Sequence, residues 1–364
     1  MTFKEKFPDE TTLVTAVDDA LPAVVAQVQT VAGPLEANYK KSQRYSGSAA
    51  VCGVVGIFLT FAILSKELWM SVSGVYLVVP PLISATGLVC LAGAVYYWKQ
   101  SRKLSNNFVS VVHNEVYMAA LRILGLGDAQ RILYTLGGAG STTRQVDQAA
   151  IGFITEYLTS PERTALLNLL DHSELVTESR NKAMMGDMVS FTVNGKQVFV
   201  SELDLRNETG SGKNRKVKKI FHGYFVSCDL PAMRAGKTFV STDGDRNGFG
   251  HRTFWNTRIV EKGVANVTLE WNEFENLLHV AATDQIEARI VLTPDVMHRL
   301  YDWWQSEKGN IRLSFIASRL YILFPSREVT LAASVTTISS EAIRSELLTI
   351  TKPLIPILHL LEVV

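Results

Sequence analysis

Few residues of this chain have the type and spacing to do chemistry. Seven histidines (His113, His172, His222, His251, His279, His298, His359) show no H-x-x-x-H or H-E-x-x-H spacing, and no cysteine pair joins them. A zinc site read from sequence needs such close pairs on one helix or turn, so no metal and no cofactor is expected. G-x-S-x-G, paired catalytic carboxylates and a Cys-His arrangement are all missing, and no catalytic residue is assigned.

Two clusters remain. Asp284, Glu287 and Arg289 place two carboxylates and a guanidinium within six positions. That trio suits a ligand or partner surface; more often such residues cap a helix or pair internally to fix a turn. Lys213, Arg215, Lys216, Lys218 and Lys219 form a dense basic run beside a Gly/Ser loop. Such a run attracts anionic head groups by about 1 kcal/mol per basic side chain near a membrane surface, or it is an ordinary solvated hairpin tip. A glycine-rich stretch from Gly137 to Thr142 lacks the Lys-Ser/Thr ending of a phosphate loop, and reads as a helix stop followed by a cap. The chain's net charge of +1 argues against nucleic acid as the partner.

The elements that must position these residues begin with a membrane signal. Residues 48–64 and 72–98 are two uncharged, apolar runs, each long enough to cross a bilayer. Tyr45, Trp69 and Tyr96-Tyr97-Trp98 mark their borders. Lys40, Lys41 and Arg44 precede the first run and Lys99, Arg102 and Lys103 follow the second, against Lys66 alone between them. By the positive-inside rule both termini and the main domain are cytoplasmic, on an inner (cytoplasmic) membrane. Neither run carries an ionisable residue, so a transport path is not expected. Three cysteines, Cys52, Cys90 and Cys228, give no disulfide framework, in keeping with a reducing compartment.

Outside the spans, residues 11–37 read as one or two short amphipathic helices broken at Pro22 and at Gly33-Pro34. Helical spacing covers 104–123, followed after Gly125-Leu126-Gly127 by helices expected to Leu136, over 142–158 and from Ser160-Pro161. From Met188 the apolar period becomes two. Asn194-Gly195 is a hairpin turn joining two alternating runs within 190–201. Further strands are expected at 217–228, 237–241, 267–271 and 290–292, with a second hairpin at 311–315 and 320–324. Thr293-Pro294 and Ser339-Ser340 start helices, the last broken by Pro353 and Pro356. The expected fold is therefore α+β, with an N-terminal two-helix transmembrane hairpin, a helical segment, and an antiparallel sheet domain with flanking helices. The expected divisions are an amphipathic segment 1–46, the hairpin 47–98, a helical region 99–185 and the sheet domain 186–364.

The stretch Phe274-Glu275-Asn276-Leu277-Leu278-His279-Val280, then Asp284-Gln285-Ile286-Glu287-Ala288-Arg289, then Leu292-Thr293-Pro294 resembles the signature of DUF3137, a bacterial domain family of unknown function. That family's first segment is an "F-E-x-x-F-x-V" strand, and Leu278 stands here at its second Phe. Phe221-His222-Gly223-Tyr224-Phe225 resembles its "F-x-G-x-F" strand. The resemblance covers about residues 188–324, and the two membrane helices ahead of the domain fit it. It implies a membrane-tethered cytoplasmic protein with no known activity and, because some members are encoded near LemA-type membrane proteins, a partner of that kind. The functional expectation is a membrane-anchored interaction or scaffold module that binds a protein partner or the anionic inner leaflet. The alternatives are a membrane-linked enzyme with a pocket near Asp284 and Glu287, or a membrane unit that assembles into homo-oligomers through Gly53 and Gly56.

Overall fold

The computed structural model describes residues 7–64, 79–126, 130–133, 161–176, 178–210, 214–232, 235–242, 263–307, 310–326 and 338–364. The chain divides into two compact units, one of residues 22–116 with 335–342, the other of residues 1–21, 117–334 and 343–364.

The first unit is built on two long helices, α1 (Glu10–Leu64) and α2 (Val79–Ile123). They run antiparallel: Gln27 Nε2 donates to Glu115 at 2.6 Å, Tyr39 stacks on Phe108, Ser101 Oγ donates to the Ser42 carbonyl at 2.8 Å, and Tyr45 meets Tyr97. Gly53 then faces Ala94 closely enough that an added Cβ would sit 3.9 Å from the alanine methyl. Small residues at that level let the two backbones approach.

Helix α1 does not break where the sequence suggested. Pro22 and Pro34 both lie inside it, and the one or two short helices expected over 11–37 are part of a single longer helix. Asp9 fixes its start, accepting from the Thr12 hydroxyl at 2.6 Å, the Thr12 N–H at 2.7 Å and the Thr11 hydroxyl at 2.9 Å. Those bonds hold the Asp9 carboxyl down to about 2. A stripe of buried Leu13, Val17, Val24, Val28 and Ala32 then carries the helix through both prolines. Apolar burial of about 1.5–3 kcal/mol per large side chain outweighs the roughly 3 kcal/mol a proline costs a helix interior.

The second unit is a nine-stranded antiparallel sheet in the order β1-β2-β3-β4-β9-β8-β5-β7-β6. The strands are β1 (Gln130–Leu133), β2 (Lys182–Val193), β3 (Lys196–Thr209), β4 (Lys216–Asp229), β5 (Lys237–Thr242), β6 (Ala265–Asn266), β7 (Leu278–Ala282), β8 (Arg312–Ile316) and β9 (Arg319–Pro325). Asn194 and Gly195 take φ of 50° and 77° between β2 and β3, as the hairpin turn requires. The described helices of this unit are α3 (Pro161–Ser173), α4 (Asn272–Leu277), α5 (Gln285–Val291), α6 (Pro294–Glu307), α7 (Ser340–Thr351, whose first residues belong to the other unit) and α8 (Leu354–Val363). Ser339 Oγ accepts from Ala342 N–H at the start of α7, and Pro353 separates α7 from α8.

The sheet has two buried faces. On one, Met185, Met188, Leu203, Leu205, Phe225, Tyr321 and Leu323 pack with Leu166 and Leu170 of α3. The other face carries the alternate residues, and there Trp303 of α6 lies 4.9 Å from the Phe324 ring. Burial on both faces explains why β9 reads as a nearly unbroken apolar run rather than an alternating one.

Four expectations are corrected here. Residues 130–133 are strand, paired through Leu133 to Met188, rather than part of a helix reaching Leu136. Residues 290–292 close helix α5, because Asp284 caps that helix and sets its 3.6-residue period. The strand expected at 267–271 shrinks to Ala265–Asn266 in β6, with Val267 N–H still bonding the Val280 carbonyl. The Phe274–Val280 segment is split: Phe274 is buried in α4, and the strand begins at Leu278. The helix expected over 142–158 and the Gly137–Thr142 stretch lie outside the described residues.

Gly223 of β4 decides how tightly the sheet closes. A Cβ there would lie 2.0 Å from the Phe324 carbonyl oxygen and 2.7 Å from Pro325 Cα. Gly223→Ala is expected to cost about 3 kcal/mol through forced separation of β4 and β9, read as a drop in thermal midpoint of the full-length protein. Gly47→Ala, in a helix with nothing within 4 Å of the new methyl, is the matched control and should be neutral or stabilising.

Candidate functional site: three polar clusters and an apolar belt

The trio Asp284, Glu287 and Arg289 is brought together on α5, and each member is engaged with backbone. Asp284 is the N-cap, its side chain accepting from Ile286 N–H at 2.8 Å and Glu287 N–H at 3.2 Å. Glu287 reaches out of the helix to take Gly236 N–H at 2.6 Å and Ala235 N–H at 3.2 Å. Thr283 Oγ1 takes the next donor, Lys237 N–H, at 2.8 Å. Three successive amides entering β5 are thus held by one turn of chain. Gly236 is required for it, since a Cβ there would sit 2.5 Å from Glu287 Oε2. Arg289 donates to the Thr268 carbonyl at 3.0 Å and to the Gln285 carbonyl at 3.3 Å. Chemically the trio is a clasp tying α5 to the start of β5 and to the chain after β6. Its outer face carries Ile286 and Ile290, one helical turn apart and 72% and 58% exposed. These two isoleucines escaped the sequence reading because the segment's end was taken as a strand; their i, i+4 spacing was the available signal.

The basic run sits at the β3–β4 end. Arg215, Lys216, Lys218 and Lys219 are exposed there, with Val217 also 49% exposed between them; Lys213 lies outside the described residues. Arg215 reaches back to Glu208 at 2.7 Å, and Lys182 meets the other oxygen of Glu208 at 3.1 Å. This end of β4 pairs with β3 through Thr209↔Lys216, whereas the β4–β9 ladder starts only at Gly223. The tip is therefore an arm in which β4 has no β9 neighbour and its lysines are exposed, while β3 is still held on its other side by Asn181 and Lys182 at the start of β2.

A third cluster was missed in the sequence. Asp204, 1% exposed, accepts from Arg206 Nε at 2.7 Å and Nη2 at 2.8 Å, and lies 3.1 Å from His222 Nδ1. Register makes it: Asp204 stands directly across from His222. Burial by itself would raise the carboxyl, but the hydrogen bonds from His222 and Arg206, with their charges, hold it well below the ordinary 3.8. The alternation Glu202, Asp204, Arg206, Glu208 in the sequence was a usable sign of one polar strand face. Cys228 is buried, and burial pushes its thiol up to about 11, which suits packing rather than nucleophilic chemistry. Among the described residues no group of three metal-ligating side chains comes together.

The helices of the other unit carry an apolar belt. Val51, Val54, Val55 and Ile57 of α1 and Leu88, Val89 and Val95 of α2 are 42–71% exposed, with Tyr96 and Trp98 at its edge. Among the described residues one stretch, Thr11–Ile57, is long and apolar enough to cross a membrane by length and composition, and only 22% of its most apolar window is buried. That is one such helix where the sequence suggested two.

Residues 219–361 match the family model described as "Protein of unknown function (DUF3137)". The match begins within β4 and ends in α8, later at both ends than the segment whose signature the sequence resembles. No curated protein and no solved structure matches.

Two predictions follow from the clusters. Glu287→Ala strands the Gly236 amide and should cost about 2 kcal/mol, seen as a lower denaturation midpoint with unchanged secondary structure. For Asp204, the folded carboxyl titrates below its unfolded value. Its contribution is therefore full above about pH 4 and is lost as pH falls through the lower folded value. Asp204→Asn should flatten the decline of stability between roughly pH 4 and pH 2 in denaturation measured across that range.

Proposed function

Residues 219–361 being a DUF3137 domain, a family without assigned activity, we propose from the chain's own surfaces that it is a membrane-anchored interaction module. The apolar belt carries this reading. Seven large aliphatic side chains left on the surface of two paired helices are costly in water. In a bilayer they are the expected lining, and α1 and α2 then cross as a two-helix hairpin with tyrosine and tryptophan at one interface. The basic flanks of both helices favour an orientation with the termini and the sheet domain on the cytoplasmic side of an inner membrane. Lysines on the β3–β4 arm supply contacts for anionic head groups, and the exposed Ile286–Ile290 face of α5 supplies a surface for a protein partner, such as the LemA-type membrane protein that the family resemblance implies.

An enzyme built on Asp284 and Glu287 is the weaker reading, because both carboxylates are already spent on backbone amides. The oligomerising unit is also weaker, since Gly53 already faces Ala94 of the same chain.

Membrane extraction tests the anchor. The wild-type chain should stay in the membrane pellet through alkaline carbonate. Val54→Arg with Val89→Arg places two charges in the belt at about 2.5–3.5 kcal/mol each, and should shift most of the protein out of the pellet. A wild-type chain released by carbonate would overturn the anchor. For the arm, Lys216→Glu, Lys218→Glu and Lys219→Glu together should weaken binding of reconstituted protein to phosphatidylserine vesicles at low salt at least tenfold. Unchanged binding removes the lipid-contact role and leaves the protein-partner surface.

A further inference from the structure

A groove of about 690 Å³ opens between α3 and the sheet, in the size range of small-molecule sites. Leu166 and Leu169 of α3 form one wall, and Met188, Phe199 and Tyr321 form the floor. Two polar groups, His172 and Arg319, belong to the same lining. His172 Nδ1 bonds the Asn168 carbonyl at 2.6 Å, which fixes the ring and leaves Nε2 for another partner. Arg319 pairs with Asp229 through Nε at 2.9 Å and also bonds the Tyr321 hydroxyl; a guanidinium has five N–H donors, so donors remain beyond those two partners.

Ser227 joins the two floor residues without itself belonging to the lining. It stands on β4 directly across from Phe199 on one side and Tyr321 on the other, on the same sheet face as the groove floor. The residue is 1% exposed, and its Oγ has no hydrogen-bond partner among the described residues. An apolar trough with a cation in its lining matches an amphiphile with one chain and one acidic head.

We propose that this groove binds a single acyl chain bearing an anionic head group, with the chain against Leu166, Leu169, Met188 and Phe199 and the head against Arg319 and His172. The inference stands on the sheet unit alone and does not depend on the membrane reading. A free carboxylate and a lysophospholipid phosphate share this chemistry, and the test separates them.

The test uses the full-length protein in phosphatidylcholine nanodiscs, a diazirine-bearing palmitic acid, and mass spectrometry of the cross-linked peptides. Labelling is expected on peptides carrying Leu169, Met188 or Phe199, and excess palmitate or lysophosphatidic acid should suppress it at least tenfold. The better competitor of the two names the head group. Monopalmitoylglycerol, of equal chain length without charge, should compete at least tenfold more weakly. Leu169→Trp fills the groove and should remove its labelling while peptides from the α1–α2 belt stay labelled. Arg319→Gln leaves the apolar walls intact and should weaken palmitate competition at least fivefold. Labelling confined to α1 and α2, or equal competition by the neutral glyceride, overturns the proposal. So does full groove labelling in a folded Leu169→Trp protein, or unchanged palmitate competition in Arg319→Gln.

Discussion

The close approach of β4 to β9 at Gly223 is the contact on which the sheet unit depends. In the strand order it is the seam between two antiparallel groups, β1 to β4 on one side and β9, β8, β5, β7 and β6 on the other. With only a hydrogen at Gly223, the Phe324 carbonyl can occupy the space that a side chain would fill. Tyr224 and Phe324 then stack at 6.5 Å on one face, and Phe225 and Tyr321 at 6.2 Å on the other. Both cores therefore form across the same seam. The groove floor at Phe199 and Tyr321 needs it too, since those residues come from strands on opposite sides of β4.

Polar groups in this unit are used mainly to fix chain against chain. The Asp284–Glu287 turn holds three amides entering β5, and the Asp204–Arg206–His222 cluster ties β3 to β4 just beyond the seam. Arg312 serves similarly, donating to the Leu175 carbonyl at 2.9 Å and pairing with Glu178 at 3.1 Å to fasten the chain after α3. Such clasps replace ladder hydrogen bonds where the chain leaves the sheet, and an unpaired buried amide would cost as much as a lost bond. Surfaces free for binding are found away from them, on the basic arm, the outer face of α5 and the groove.

Local chemistry in the sequence was enough where a residue has one good use. Asn194-Gly195 specified its turn because both positions need positive φ. Thr293-Pro294 opened α6 and Ser339 capped α7 for equally local reasons. The antiparallel α+β class followed from hairpins spaced closely along the chain. What escaped depended on distant partners. Residues 130–133 are strand because Met188 and its neighbours offer an edge, and α1 passes two prolines because a buried stripe holds it. The Asp204 cluster exists only through the β3–β4 register. Of the expected site residues, Asp284, Glu287 and Arg289 share α5 and its cap, but the backbone groups they bind, the Gly236 amide and the Thr268 carbonyl among them, come from elsewhere in the chain.

Beside the densely clasped sheet unit the chain carries a pair of helices with exposed aliphatic side chains, and in the proposed anchor those side chains face lipid. Spin labels placed singly at Val51, Val54, Leu88, Val89 and Val95 of the reconstituted protein test it through their accessibility to oxygen and to a water-soluble nickel chelate. Lipid-facing positions will show high oxygen and low nickel accessibility, with the reverse at Lys40 and Lys99. Nickel accessibility at the five belt positions equal to that at Lys40 would contradict the anchor and place the belt in water.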